Sequence, residues 1–127
     1  MKNSLCLLPF ALAVSLILPG NVGCKKDTPP PAPLTVEELP SAIERAFSKA
    51  TPENQELANQ LLAAVRARDY SKAFLTIQNL SGRPGLTKEQ QNVASRASLT
   101  LNELVQSAQA KGDQKAAQTI KSYLKDK

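Results

Sequence analysis

Residues 51–82 read TPENQELANQLLAAVRARDYSKAFLTIQNLSG, and this stretch decides the fold class. Thr51-Pro52 is a helix start: a hydroxyl that accepts from free N–H groups, then a proline at the first helical position, where its missing N–H costs nothing. Leu57, Leu61 and Val65 follow at helical spacing, and Ala58 and Leu62 widen the stripe. Asp69 is placed to cap a second helix, on which Tyr70, Ala73, Phe74, Ile77 and Leu80 share one face. Gly82 suits the left-handed residue that closes such a helix. The stretch therefore reads as two antiparallel amphipathic helices joined by a short polar turn.

Working outward, the same signals recur. Thr35 with Glu38 makes a capping box, and Leu34 with Leu39 a hydrophobic staple around it. Val36, Leu39, Ile43, Ala46 and Phe47 continue at helical spacing. Pro40 falls at the fifth position of that helix, where it removes a hydrogen bond, so a kink or false start is expected. Downstream, Arg83-Pro84-Gly85-Leu86 is a turn and Thr87 with Gln90 a second capping box. The helix that follows runs to about Lys111, with Val93, Ala97, Leu101, Leu104, Val105 and Ala108 on its face. Gly112-Asp113 separates it from a last helix carrying Ala116, Ala117, Ile120, Tyr123 and Leu124. No segment alternates apolar and polar with a strand period. The expected fold is all-α: about five helices, two stacked antiparallel hairpins after a short first helix. Phe47, Tyr70, Phe74 and Tyr123 all fall at core positions.

A shift of 43 residues lays the second hairpin on the first: Leu61 on Leu104, Leu62 on Val105, Arg68 on Lys111, Lys72 on Lys115, Ala73 on Ala116, Ile77 on Ile120 and Leu80 on Tyr123. One hairpin cannot bury its apolar face alone, so a second stacks on it. Arg68-Asp69-Tyr70-Ser71-Lys72-Ala73 resembles the turn and second-helix start of a tetratricopeptide repeat, with Tyr70 and Ala73 at the aromatic and small positions that pack the two helices. The resemblance covers residues 53–125 and implies stacked helical hairpins that bind protein partners. Any two antiparallel amphipathic hairpins would share most of these matches.

The N-terminus has the order of an export signal. Met1-Lys2-Asn3-Ser4 is a positively charged start, and Leu5 to Leu18 an apolar run shorter than the roughly 20 residues a bilayer span needs. Pro19-Gly20 breaks it, and Asn21-Val22-Gly23-Cys24 follows. This arrangement resembles the signal peptide and lipobox of bacterial lipoproteins. The resemblance implies cleavage between Gly23 and Cys24, acylation of Cys24 by fatty acid such as palmitate, and anchoring in the cell envelope facing the periplasm. Lys25 after the cysteine favours the outer membrane over the inner. The alternative is an ordinary secretory signal with Cys24 an incidental thiol. On the lipoprotein reading the chain divides into a signal at 1–23, a lipidated cysteine and linker at 24–34, and a helical domain at 35–127. Four prolines among Pro29 to Pro33 favour a stiff polyproline II spacer. A PxxP ligand at Pro30 and Pro33 is the other reading of the same residues.

Composition narrows function further. The chain of 127 residues has no histidine, two cysteines, 16 Lys+Arg and 11 Asp+Glu. Without histidine there is no Ser-His-Asp or Cys-His triad and no histidine-held zinc. Cys6 lies in the signal and Cys24 would carry lipid, so no disulfide is expected. No nucleophile elbow, glycine-rich phosphate loop or metal-ligand cluster is present. Neither catalysis, a metal nor a cofactor is expected. Glu37-Glu38 fits the first turn of a helix, where a carboxylate meets the positive end of the macrodipole. Stacking aromatics are too scarce for nucleic acid. Lys111, Lys115, Lys121 and Lys125 fall within an arc of about 120° on a helix, opposite Ile120 and Leu124. They are candidate contacts to an anionic lipid or glycan, or a solvated face. The expected role is a membrane-anchored, non-catalytic interaction scaffold or accessory subunit that binds another envelope protein. The alternative is a binder of anionic envelope lipid or glycan through the basic last helix.

Overall fold

Helix starts in the structure are governed by side-chain caps. The structure, a computed structural model, describes residues 29–126. The signal segment, Gly23 and Cys24 lie outside the described residues. Helix α2 (Pro52–Arg66) opens with Pro52 at its first turn and Thr51 accepting from the Asn54 N–H at 3.4 Å. In α3 (Tyr70–Ser81) the Asp69 carboxylate accepts from the Lys72 N–H at 3.0 Å. Helix α4 (Lys88–Ala110) has the reciprocal capping box of Thr87 and Gln90. In α5 (Gln114–Lys125) Asp113 accepts from the Ala116 N–H at 3.1 Å. Each such cap satisfies donors that a helix leaves unpaired at its start.

At Pro40 the structure shows the false start and not the kink. The Thr35–Glu38 box forms: the Glu38 N–H donates to the Thr35 hydroxyl at 3.2 Å, and the Thr35 N–H to Glu38 Oε2 at 2.9 Å. Regular helix nevertheless begins only at Glu38, giving α1 (Glu38–Phe47) with Glu37 at its N-cap. Proline has no N–H to offer the Val36 carbonyl. It is tolerated in a first turn, where donors have no intrahelical acceptor anyway. The helix therefore starts late rather than bending.

Gly82 also departs from expectation. It closes α3 in the right-handed region, at φ −82°, with its N–H on the Gln78 carbonyl at 3.2 Å. The left-handed residues are Arg68 (φ 55°), Gly85 (φ 77°) and Gly112 (φ 90°). After α3 the reversal is made by Pro84-Gly85, proline fixing φ and glycine supplying the positive φ that such a turn needs.

Among the described residues there are five helices and no strand. Helix α3 packs between α2 and α4, and α5 lies on both α3 and α4, so the two hairpins stack. Helices α2 and α4 do not approach within 8 Å, and α1 packs on both of them. Leu39, Ile43, Leu61, Phe74, Ile77, Leu80, Leu101 and Val105 form the fully buried centre. Phe47 is buried as well, whereas Tyr70 and Tyr123 are half-buried at its edge.

Polar groups fix α1 at both ends. The buried Gln90 amide donates to the Ala46 carbonyl at 3.2 Å, joining the end of α1 to the start of α4. At the other end, the Thr100 hydroxyl donates to the Leu34 carbonyl. One turn back along α4, Arg96 Nε donates to the Ala32 carbonyl at 2.8 Å. Leu34 is buried in the core. Ala32 and Leu34, at the end of the proline-rich segment, are thus held against α4.

Candidate functional site

The two hairpin turns have one backbone plan. Asp69 N–H donates to the Ala64 carbonyl at 2.9 Å, and Asp113 N–H to the Ala108 carbonyl at 3.0 Å. Arg68 and Gly112 supply the left-handed residue, and Asp69 and Asp113 the caps. The turns therefore superpose with Arg68 on Gly112, one residue away from the sequence pairing of Arg68 with Lys111. The buried faces follow the original pairing in part: Ala73 and Ala116 are both fully buried and Leu62 and Val105 both buried, whereas Leu104, Ile120 and Tyr123 are half-buried opposite the fully buried Leu61, Ile77 and Leu80. In the first hairpin the buried alanine lies four residues after the cap, in the second three. One residue is about 100° of helix, so α5 presents a different side to its turn than α3 does.

This rotation separates the four lysines. Lys111 is the C-cap of α4 and lies outside α5. Lys115 stands in the first turn of α5, and its ammonium donates to Asp69 Oδ2 at 2.7 Å, bridging the two turns. Lys121 and Lys125 are exposed further along α5. The Lys115 ammonium, then the Lys72 N–H, hold the Asp69 carboxyl below the usual carboxylate range. Glu38 is held low by the Thr35 N–H and then the Thr35 hydroxyl, so this acid serves a helix start. Leu124, placed on the apolar stripe by its spacing, is 66% exposed, because α5 turns its Ala116 and Thr119 side inward instead.

Tyr70 opens α3 and is half-buried, and Ala73, three residues on, has no exposed surface. Phe74 meets Tyr123 edge to face, with ring centroids 5.0 Å apart and planes at 79°, so the two hairpins share an aromatic contact. Ser71 is buried beside an exposed Lys72.

Grooves open on this frame among the described residues, three of them where helices meet. One of about 180 Å³ between α1 and α2 has Ile43, Phe47 and Leu62 in its wall and Glu44 and Gln55 on it. Glu44 forms an ion pair with Arg66 across these helices. A second, of about 370 Å³, lies where α1 ends and α4 begins, with Arg45, Lys49 and Glu89. The third, of about 300 Å³, is lined by Phe74, Gln78, Ser98, Leu99, Asn102 and Tyr123 where α5 ends on α3 and α4. Leu75 and Leu99 are exposed by 49% and 42%. Periodicity did not single out Leu75 or Leu99, since each falls off its helix's apolar stripe; that misplacement was itself the readable signal.

Among the described residues no buried side-chain nitrogen or oxygen lacks a hydrogen-bond partner, and no three His, Cys, Asp or Glu side chains cluster to hold a metal. No described helix is long and apolar enough to cross a membrane. No protein-family model, curated protein or solved structure matches the chain.

Proposed function

We propose that the chain is a bacterial envelope lipoprotein, acylated at Cys24, whose helical domain acts as a non-catalytic interaction scaffold or accessory subunit for another envelope protein. The observation that carries the reading is the join between tether and domain. The proline-rich segment after Cys24 runs directly into a segment held by Arg96 and Thr100 on α4. On this reading the stack of helical hairpins lies no further from Cys24 than the eight residues up to Ala32 can reach, about 28 Å. Stacked hairpins offer long helix faces and grooves, which suit the apolar side of a partner helix or an extended segment. The α1–α2 groove, with Ile43, Phe47 and Leu62 under a polar rim, is the surface we assign to that partner.

Two measurements test this. Metabolic labelling with palmitate is expected to mark the wild-type protein and not Cys24→Ala; equal labelling of both would end the lipoprotein reading. Crosslinking in the native host, then purification of the full-length tagged protein, is expected to recover one stoichiometric envelope protein. Recovery of lipid or glycan alone would favour the anionic-ligand reading. For that reading Lys121 and Lys125 are the better candidates, since Lys115 is engaged by Asp69.

A further inference from the structure

Three leucines are exposed on α3, α4 and α5, and one of them opens onto the groove where these helices meet. Leu99 lines it, Leu75 follows the lining residue Phe74, and Leu124 follows the lining residue Tyr123. Scattered surface leucines need no explanation, but an exposed leucine at an open groove invites a contact that covers it.

The position of the tether indicates what covers it. Ala32 is pinned to Arg96, and Leu99 lies three residues further along the same helix. From Cys24 to Ala32 even a fully extended chain reaches no more than about 28 Å. Helix α4 alone is about 35 Å long. If Cys24 lies in the bilayer, the domain is held closer to it than its own length, with the Arg96–Leu99 flank at the point of attachment. Lys121 and Lys125 flank Leu124 on α5 and are exposed. Leucines entering the acyl boundary and lysines at the level of anionic headgroups are what an interfacial surface requires.

We propose that the α4–α5 flank, with Leu99 and Leu124 inserted and Lys121 and Lys125 on the headgroups, rests on the anionic bilayer to which the tether leads. Leu75 lies at its rim. The proposal rests on the lipid-anchor reading of Cys24. It leaves the α1–α2 groove for the protein partner.

The test uses the full-length lipoprotein purified from membranes and reconstituted in vesicles of phosphatidylethanolamine and phosphatidylglycerol. Cys24 being acylated, a cysteine introduced at one surface site takes a single fluorophore. Labels at Leu99→Cys and Leu124→Cys are expected to be quenched by spin-labelled lipid at least about twofold more than a label at Asn59→Cys on α2. That excess should shrink in Lys121→Gln/Lys125→Gln and in vesicles of phosphatidylcholine alone. Proteins that float with the vesicles but show equal quenching at all three sites overturn the surface while sparing the anchor. Failure to float, with no acyl label on Cys24, overturns the anchor reading and the surface with it.

Discussion

Between α2 and α3 the chain turns through Arg68 at φ 55°; between α4 and α5 it makes the same turn through Gly112 at φ 90°. Both turns end in an aspartate cap, and both give the aspartate N–H to a carbonyl five residues back. Yet α3 is enclosed by α2, α4 and α5, while α5 has only α3 and α4 to lie on. Two helices with similar starts thus end in different environments, one burying Phe74, Ile77 and Leu80, the other leaving Leu124 largely in solvent. The lesson is that a local turn sets the direction of a helix, whereas the partners around it set which side is buried. The one-residue offset between turn and face in the second hairpin is the mark of that division.

The largest effect expected from disturbing this comparison is at the aromatic pair. Phe74→Ala should lower unfolding stability by about 3–5 kcal/mol, because a fully buried ring leaves a cavity. Tyr123→Ala, truncating the half-buried partner, should cost less than half as much. Urea midpoints of the two variants measure the ratio; equal losses would mean that α5 is as deeply built in as α3.

Next come the caps. Asp69→Ala should cost about 1–2 kcal/mol, losing both the α3 cap and the bridge to Lys115. Asp113→Ala loses a cap alone and should cost about 1 kcal/mol. Calorimetric melting of the pair separates these values.

The left-handed residues give smaller changes of opposite sign. Gly112→Ala should destabilise by about 1 kcal/mol, since φ 90° strains any Cβ although no atom lies within 4 Å of it. Arg68→Gly should stabilise by up to about 1 kcal/mol, as relief at φ 55° exceeds the added freedom of the unfolded chain. Gly82→Ala should be neutral or mildly stabilising, because its Cβ would meet the Gln78 carbonyl at an ordinary 3.6 Å. A strong loss on Gly82→Ala in thermal melting would contradict the right-handed closure of α3.

The smallest effect is electrostatic. Asp69 and Glu38 both have folded pKa values below their ordinary ones. Their contribution to stability is complete above about pH 5 and is lost as the pH falls through the lowered values. Lys115→Ala should cost under about 1 kcal/mol at neutral pH, for an exposed pair, and should flatten the acid loss. Urea midpoints from pH 6 to pH 2.5 would show it; an unchanged acid slope would assign the loss to other carboxylates.

Most of the helices were legible because their starts are written locally: the Thr35–Glu38 box, Thr51-Pro52, Asp69 and the Thr87–Gln90 box each act within four residues. The core stripes were legible because apolar spacing repeats. What stayed hidden depends on partners distant in sequence. Gln90 is a cap by its local pattern, but its amide reaches Ala46 only once α1 lies on α4. Arg96 and Thr100 look like surface residues of α4 until the linker is seen to bind there. The lysine arc assumed that Lys111 to Lys125 ride one helix, and the Gly112 turn divides them. Leu124 fits the period of α5, but no helix covers that side.

The clasp on α4 also sets an order of events. Ala32 and Leu34 find their partners 64 and 66 residues later in the chain, whereas each hairpin closes on itself within about 40 residues. During synthesis or translocation from the N-terminus, Ala32 and Leu34 emerge long before α4 is there to hold them. Loop-closure entropy makes such distant contacts slow, so the side of α1 that meets α4 must wait for it, with only α2 to pack on until then. Pulsed hydrogen exchange during refolding should find α1 amides protected after those of α3. A partner or chaperone that binds an apolar helix would have its opening in that interval, before the domain closes over its own first turn.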